Sequence, residues 1–193
     1  MRAIRSCARI LKKGGLVAFP TETVYGLGAK AFDRACEKRI YRVKKRPKTK
    51  PLTVLLDNVG TIKNLRCALT PEIKRLAKKF WPGPLTMILR APSGKSMGFR
   101  IPDNRVALKL IKALGRPLIV PSANLSGKAA ATDAEGVLRY FYGSIEAVLD
   151  GGTTHIGTES TVVDMTGKAP RILRRGAIPE SEIMRTCFKK RDD

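Results

Sequence analysis

Five short polar stretches hold the side chains able to do chemistry. They are Pro20-Thr21-Glu22-Thr23-Val24-Tyr25-Gly26-Leu27-Gly28, Lys44-Lys45-Arg46-Pro47-Lys48-Thr49-Lys50-Pro51-Leu52, Ser96 to Arg100, Pro121-Ser122-Ala123-Asn124-Leu125-Ser126-Gly127, and Thr158-Glu159-Ser160-Thr161. Each follows an apolar run, and in α/β sheets hydroxyls and cations at strand ends converge on one crevice, where ligands bind. The set offers hydroxyls, amides and fixed cations but no nucleophile paired with a base. That combination suits a reaction whose substrates bring their own nucleophile, with the protein supplying position and charge neutralisation at phosphorus.

Other chemistries fit less well. His155, the single histidine, lies in the glycine-bracketed stretch Gly151 to Gly157, so a Ser-His-Asp or Cys-His hydrolase has only this residue to use. Cys7, Cys36, Cys67 and Cys187 show no C-x-x-C spacing and read as small buried hydrophobes in a reducing compartment; no metal site is expected. Gly94-Lys95-Ser96 resembles the end of a P-loop, but Leu89 stands where the first glycine is required. Gly26 to Ala31 fits G-x-G-x-x-A, yet lysine and arginine replace the acid that would hold a ribose about 20 residues on.

The elements that must position these stretches alternate helix and strand. Ile4, Cys7, Ala8 and Leu11 make an amphipathic helix stopped at Gly14-Gly15, and Leu16 to Phe19 is a strand closed by Pro20. Asp33 caps a helix with Cys36, Ile40 and Val43 on one face that delivers Lys44 at its end. Leu52 to Leu56 reads as a buried strand, Pro71 opens a helix that turns Ile73, Leu76, Ala77 and Phe80 inward, and Leu85 to Leu89 is a strand after Pro82-Gly83-Pro84. Asn104 starts a helix bearing Leu108, Ile111 and Leu114, followed by a strand at 118–120. Thr132 to Glu135 reads as a capping box before Val137, Leu138 and Phe141; strands at 147–149, 161–163 and 171–173 and a helix from Pro179 complete the chain. The pattern predicts one α/β domain over residues 1–188, with 189–193 a frayed tail.

At 193 residues the chain can bury a core of its own, and no apolar run reaches the ~18 to 20 residues of a membrane span, nor is a secretory signal evident. These features predict a soluble, cytoplasmic protein with no membrane partner. Lys and Arg number 38 against 16 Asp and Glu, a net charge of +22, which predicts a polyanionic partner or substrate; nucleic acid bound through its backbone fits. Only 6% of residues are aromatic, which argues against base readout.

The five stretches also resemble a known family, the YrdC/TsaC/Sua L-threonylcarbamoyladenylate synthases. Pro20 to Gly28 is similar to P-T-[ED]-T-V-Y-G-L-G, Lys44 to Leu52 to K-x-R-P-x-x-x-P-L, Phe80 to Thr86 to F-W-P-G-P-L-T, Pro121 to Gly127 to P-S-A-N-x-S-G, and Glu159 to Asp164 to E-S-T-V-V-D. All occur in family order over nearly the whole chain, which resembles the short, single-domain form. The resemblance implies a twisted mixed β-sheet flanked by helices (YrdC-like or RibB-like) around a basic concave site. It implies synthesis of L-threonylcarbamoyl-AMP from L-threonine, bicarbonate or CO2 and ATP, with release of pyrophosphate. A downstream Kae/TsaD-type transferase then modifies the tRNA adenosine next to the anticodon. Mg2+ is expected to come with ATP rather than on a protein-held metal site.

Carried over by position, Lys44 and Arg46 resemble the catalytic cations, with Lys50 a further cation on the ATP phosphates. Thr23, Tyr25, Arg100 and Ser160 resemble threonine contacts, and Ser96, Ser122, Asn124 and Arg174 nucleotide contacts. An arginine suits a carboxylate because its planar fork pairs in bidentate fashion. Three positions depart from the family pattern: Leu55 stands where many long-form members have a histidine, Val120 where some have a threonine, and Lys50 where they have an asparagine. The first two make the amino-acid pocket more apolar. Two alternatives remain open at the level of sequence: a non-catalytic double-stranded RNA or tRNA binder, and carbamoyl-adenylate transfer as in hydrogenase maturation.

Overall fold

The computed structural model describes residues 1–91 and 94–188; the tail expected at 189–193 lies outside the described residues. Nine strands among them form one mixed sheet in the order β7-β1-β2-β6-β3-β5-β4-β8-β9. In chain order the strands are β1 (Val17–Phe19), β2 (Gly26–Lys30), β3 (Thr53–Leu55), β4 (Leu85–Arg90), β5 (Ser96–Arg100), β6 (Leu118–Ile119), β7 (Ala147–Val148), β8 (Thr161–Asp164) and β9 (Arg171–Arg174). The helices are α1 (Arg2–Lys12), α2 (Arg34–Lys44), α3 (Gly60–Asn64), α4 (Pro71–Phe80), α5 (Arg105–Leu114), α6 (Ala134–Phe141) and α7 (Glu180–Phe188). β3–β5, β4–β8 and β1–β7 pair parallel and the remaining neighbours antiparallel, which gives the α/β mixed sheet flanked by helices.

The sheet is covered unequally. One core joins α2, α4, α6 and α7 to Val54, Met87, Phe99 and Val163 of the central strands. A second, smaller core joins α1 and α5 to Phe19, Leu55, Leu118 and Val120. In β3 and its neighbours the side chains alternate between two sides, so Leu55 belongs to the face opposite Val54. That face is covered by α1 and α5 toward β1 and β6, and it opens into a cleft over β3, β5, β4, β8 and β9.

Two stretches expected as loops are strands. Gly26–Lys30 forms β2, paired with β1 from Val17–Gly28 to Phe19–Gly26, and Ser96–Arg100 forms β5 between β3 and β4. β2 has glycine at 26 and 28, where Val120 and Phe19 fill the space a side chain would take, and β5 has polar or absent side chains on its cleft side, so neither shows an apolar strand pattern. The short helix α3 was not evident from periodicity. α5 turns Ala107, Leu110 and Ile111 inward, leaving Leu108 and Leu114 half-buried, since its inner face lies between two cores. α6 is capped by Asp133, whose carboxylate accepts from the Gly136 N–H at 2.6 Å; Glu135 reaches outward to Arg139 instead of closing a box with Thr132. Asp33 caps α2 as expected.

Candidate active site

Alternation along the strands builds the cleft floor. Val54, Met87 and Phe99 enter the core, while Thr53 and Leu55 of β3, Thr86 and Ile88 of β4, and Gly98 and Arg100 of β5 face the opening. Register then aligns them: Leu55 pairs with Arg100, Thr86 with Val162, and Val162 with Arg174, so the positions form rows across the sheet. Gly98 keeps the floor low, for a Cβ there would stand 3.3 Å from the Thr86 methyl. The walls come from the turn after β1, the loop after α2 and the segments following β6 and preceding β8.

The cleft holds two adjoining cavities. The smaller, about 90 Å³, is lined by Thr23, Tyr25, Leu55, Arg100, Val120 and Ser160 among others. The larger, about 630 Å³, is lined by Lys44, Lys50, Gly98, Asn124 and Lys128 among others, and its size falls in the ~300–1,000 Å³ range of small-molecule sites. Arg46, Thr53, Thr86, Ser122, Glu159 and Arg174 line both, so the two are one continuous space.

In the smaller cavity a chain of polar contacts fixes a buried guanidinium. Arg100, 7% exposed, donates from Nε to the Gly83 carbonyl at 3.1 Å and from Nη2 to Thr23 Oγ1 at 2.9 Å. Thr23 Oγ1 in turn lies 2.8 Å from Thr21 Oγ1, and Ser160 Oγ 2.9 Å from Thr86 Oγ1. Glu22, 6% exposed, comes within 2.8 Å of Arg100 Nη2, but off the N–H axis, and neither of its oxygens receives a hydrogen bond. Burial draws the Arg100 pKa down while the Glu22 carboxylate beside it pushes it back up. Tyr25 lines the cavity but is fully buried, packed in the main core, and its hydroxyl turns away, donating to the Gly152 carbonyl at 2.8 Å and accepting from the Gly151 N–H at 3.1 Å.

The larger cavity is cationic. α2 ends at Lys44, and Lys45 in the left-handed region (φ 49°) throws the chain into the 46–52 loop. Arg46 donates from Nε to the Lys50 carbonyl at 3.2 Å and from Nη2 to the Pro51 carbonyl at 2.9 Å, which folds that loop onto its own guanidinium. Lys50 is exposed at the rim. Arg174 ties β9 to β8 through two bonds to the Ser160 carbonyl, at 3.1 and 2.9 Å, and a 2.8 Å ion pair with Glu159.

Lys44 stands apart from the other cations. It is 1% exposed, and its ammonium donates to the Ser122 carbonyl, to the Asn124 carbonyl at 2.5 Å and to Asn124 Oδ1 at 3.4 Å. A lysine has three donors, and all are engaged with the 121–127 segment. Burial first, and then Arg46, pull its pKa down to about 7, with Glu159 opposing. The sequence reading as a phosphate-binding cation is therefore modified: Lys44 pins the segment that presents Ser122 and Asn124, because the helix end aims its ammonium at backbone oxygens.

Of the residues expected in the site, Thr23, Tyr25, Arg100 and Ser160 meet in the smaller cavity and Lys44, Lys50 and Asn124 in the larger, with Arg46, Ser122 and Arg174 between them. Ser96 is exposed at the far end of β5, two residues beyond Gly98 on the same strand side, and lines neither cavity. Leu55 and Val120 do line the smaller one. His155 is exposed on a strap whose Ile156 and Gly157 N–H groups donate to the Glu22 and Thr23 carbonyls. Sequence reasoning left out Glu22, Thr53, Thr86, Gly98 and Glu159. For Thr53, Thr86 and Gly98 the usable signal was a threonine or glycine set beside the apolar residues of a strand, on the side opposite Val54, Met87 and Phe99; Glu22 and Glu159 gave none.

Comparison with known proteins adds to this geometry. Residues 9–176 match the Sua5_yciO_yrdC family model, described as "Telomere recombination". The chain is 46% identical over 189 residues to the threonylcarbamoyl-AMP synthase of Pyrococcus abyssi, covering 93% of this chain and 56% of that protein. It is 42% identical over 190 residues to the Bacillus subtilis threonylcarbamoyl-AMP synthase, covering 93% of this chain and 55% of that one. The crystal structure of P. abyssi Sua5 complexed with L-threonine superposes with a TM-score of 0.91 at 44% identity, over 95% of this chain and 56% of that one. The chain thus spans just over half the length of these relatives.

Proposed function

The chain belongs to the Sua5_yciO_yrdC family, and from that premise we propose that it makes L-threonylcarbamoyl-AMP from L-threonine, bicarbonate or CO2, and MgATP, releasing pyrophosphate. The observation that carries this reading is the continuity of the two cavities. A small one with a buried arginine and paired hydroxyls opens into a large one walled by arginine and lysine. The names of the Pyrococcus and Bacillus relatives and the L-threonine bound to the Pyrococcus protein support it.

Threonine lies in the smaller cavity, its carboxylate on the inner edge of Arg100 and its hydroxyl among Thr23 and Ser160, with Leu55 and Val120 against its methyl and Tyr25 in the wall behind. The triphosphate lies along Arg46, Lys50 and Arg174, with Ser122 and Asn124 on the nucleotide and Lys44 holding their segment in place. Ser96 contributes at most from the rim of the floor. Threonine's amine captures bicarbonate or CO2 as a carbamate, and a carbamate oxygen displaces pyrophosphate from the α-phosphorus. The protein's part is proximity together with neutralisation of charge that grows on the leaving phosphates. Among the described residues no three acidic, histidine or cysteine side chains are grouped to hold a metal ion, so magnesium is treated as part of the nucleotide substrate.

The same reading gives the chain an RNA-facing side and a cytoplasmic place of action, with tRNA and a Kae/TsaD-type transferase consuming the product. α1 exposes Arg2, Arg5, Arg9 and Lys12, α5 exposes Arg105, Lys109 and Lys112, and neither helix contains an acid. Among the described residues none of these joins an ion pair. Cations so placed, on two helices that carry no aromatic residue, suit a phosphate backbone, and binding to tRNA should weaken steeply from 50 to 200 mM salt. No helix among the described residues is long and apolar enough to cross a membrane.

The test is incubation of the purified chain with labelled threonine, bicarbonate and ATP. Pyrophosphate and a labile threonylcarbamoyl adenylate, each dependent on threonine, are expected. Pyrophosphate formed without threonine points instead to carbamoyl-adenylate chemistry, and no pyrophosphate at all to RNA binding without catalysis.

A further inference from the structure

Carbamate formation requires the substrate nitrogen to lose a proton that the surrounding cations cannot take. An amino acid's nitrogen is an ammonium at neutral pH and attacks bicarbonate or CO2 only as the free amine. Among the described residues Glu159 is the one carboxylate lining either cavity, and it lines both, at their junction; the proposed function brings the amine, the carbon donor and the α-phosphorus together there. Its side chain is 37% exposed, within reach of a ligand. The competing groups are engaged elsewhere. Tyr25 points its hydroxyl at Gly152, Lys44 gives all its donors to three oxygens, and Glu22 and His155 line neither cavity.

Resting on the function proposed above, we propose that Glu159 is the catalytic residue that accepts the amine proton. With bicarbonate the step balances as R–NH3+ plus HCO3− plus Glu–COO− giving R–NH–COO− plus H2O plus Glu–COOH: the N–C bond forms, a C–O bond breaks, and the ammonium proton passes to Glu159. The charges facing Glu159 are Arg174 of β9 at 2.8 Å, Lys44 at the end of α2, Arg46 in the loop after it, and Arg100 of β5. Taken alone, proton transfer from an ammonium to a carboxylate runs uphill; N–C bond formation draws it forward by consuming the free amine as it appears. Arg174 also orients the carboxylate, through its contact with Oε2.

Three measurements on the full chain carrying Glu159→Gln test the assignment. Forward synthesis is expected to fall roughly 10²-fold or more in kcat, and the deficit to narrow as pH rises from about 7 to 9, where solution removes the proton unaided. Adenylate made by the unaltered protein, mixed with pyrophosphate and the variant, should yield ATP with a loss at least tenfold smaller than the loss in forward synthesis, because that reverse step moves no proton and feels only the altered support of Arg174. Glu159→Asp should retain part of the forward rate. Equal losses in both directions, independent of pH, would show that Glu159 merely holds Arg174 and would overturn the proposal, as would a normal forward rate. If the unaltered protein makes no adenylate, the functional reading fails and this inference with it; if it does and the variants lose nothing, only this inference fails.

Discussion

Replacing Arg100 by lysine separates the geometry of the smaller cavity from its charge. Arg100 donates to the Gly83 carbonyl and Thr23 Oγ1 and lies 2.8 Å from Glu22, so three fixed points define the plane of its guanidinium. Alanine would be a poor choice: it leaves Glu22 buried without a counter-charge, a loss of about 3–5 kcal/mol that could unfold the protein. Lysine keeps one positive charge near Glu22 but cannot hold Gly83 and Thr23 while offering a second N–H to a ligand. The substrate carboxylate then loses one charge-assisted hydrogen bond of about 1.5–3 kcal/mol, or roughly 10- to 150-fold in kcat/KM for threonine. Initial rates of pyrophosphate release, with threonine varied at saturating ATP and then the reverse, should show the loss in the threonine series alone. A threonine KM within about twofold of the original, or a loss confined to ATP, would refute this placement of the amino acid.

Arg46→Ala should slow turnover by roughly 10² at saturating substrates if Arg46 neutralises charge in the transition state, whereas Lys48→Ala, which lines neither cavity, serves as an unaffected control. Lys44→Met should change the pH dependence of stability. With a folded pKa lowered to about 7 from the ordinary 10.5, the folded chain binds fewer protons than the unfolded chain in that window. Stability of the unaltered protein relative to Lys44→Met should therefore rise from pH 7 to 10, by at most about 3–4 kcal/mol. Denaturant titrations of both proteins at the two pH values measure it, and a flat difference would mean that the three oxygens on Nζ hold the proton. Gly176→Ala would set a methyl 2.6 Å from the Ser160 carbonyl carbon; the displaced Glu159–Ser160 backbone should cost up to about 10² in rate while the chain remains folded by circular dichroism, and an unchanged rate would show that β9 yields.

Much of this molecule could be read from its sequence, for reasons that differ by element. Helices α2 and α4 carry apolar residues at helical spacing and side-chain caps at Asp33 and Thr70, so local chemistry sets their limits. β2 and β5 escaped because their patterns answer to tertiary contacts: Phe19 occupies the space above Gly28, and Gly98 lies under a cleft. The cations and hydroxyls of the site were legible as residue types following apolar runs. What each one does was not. The fixing of Lys44 on Ser122 and Asn124, and the turning of the Tyr25 hydroxyl toward Gly152, depend on residues 78 and 127 positions away. Glu22 and Glu159 stood in the quoted stretches but look like ordinary surface acids until burial and cavity walls are known.

A crystal structure of the chain with L-threonine and a non-hydrolysable ATP analogue examines the shared cavity most directly. Threonine should be found with its carboxylate on Arg100 and its nitrogen beside Glu159, turned toward an α-phosphate held near Arg46 and Arg174. Ligands bound in unconnected places, or an amino acid whose nitrogen faces away from the nucleotide, would contradict the account.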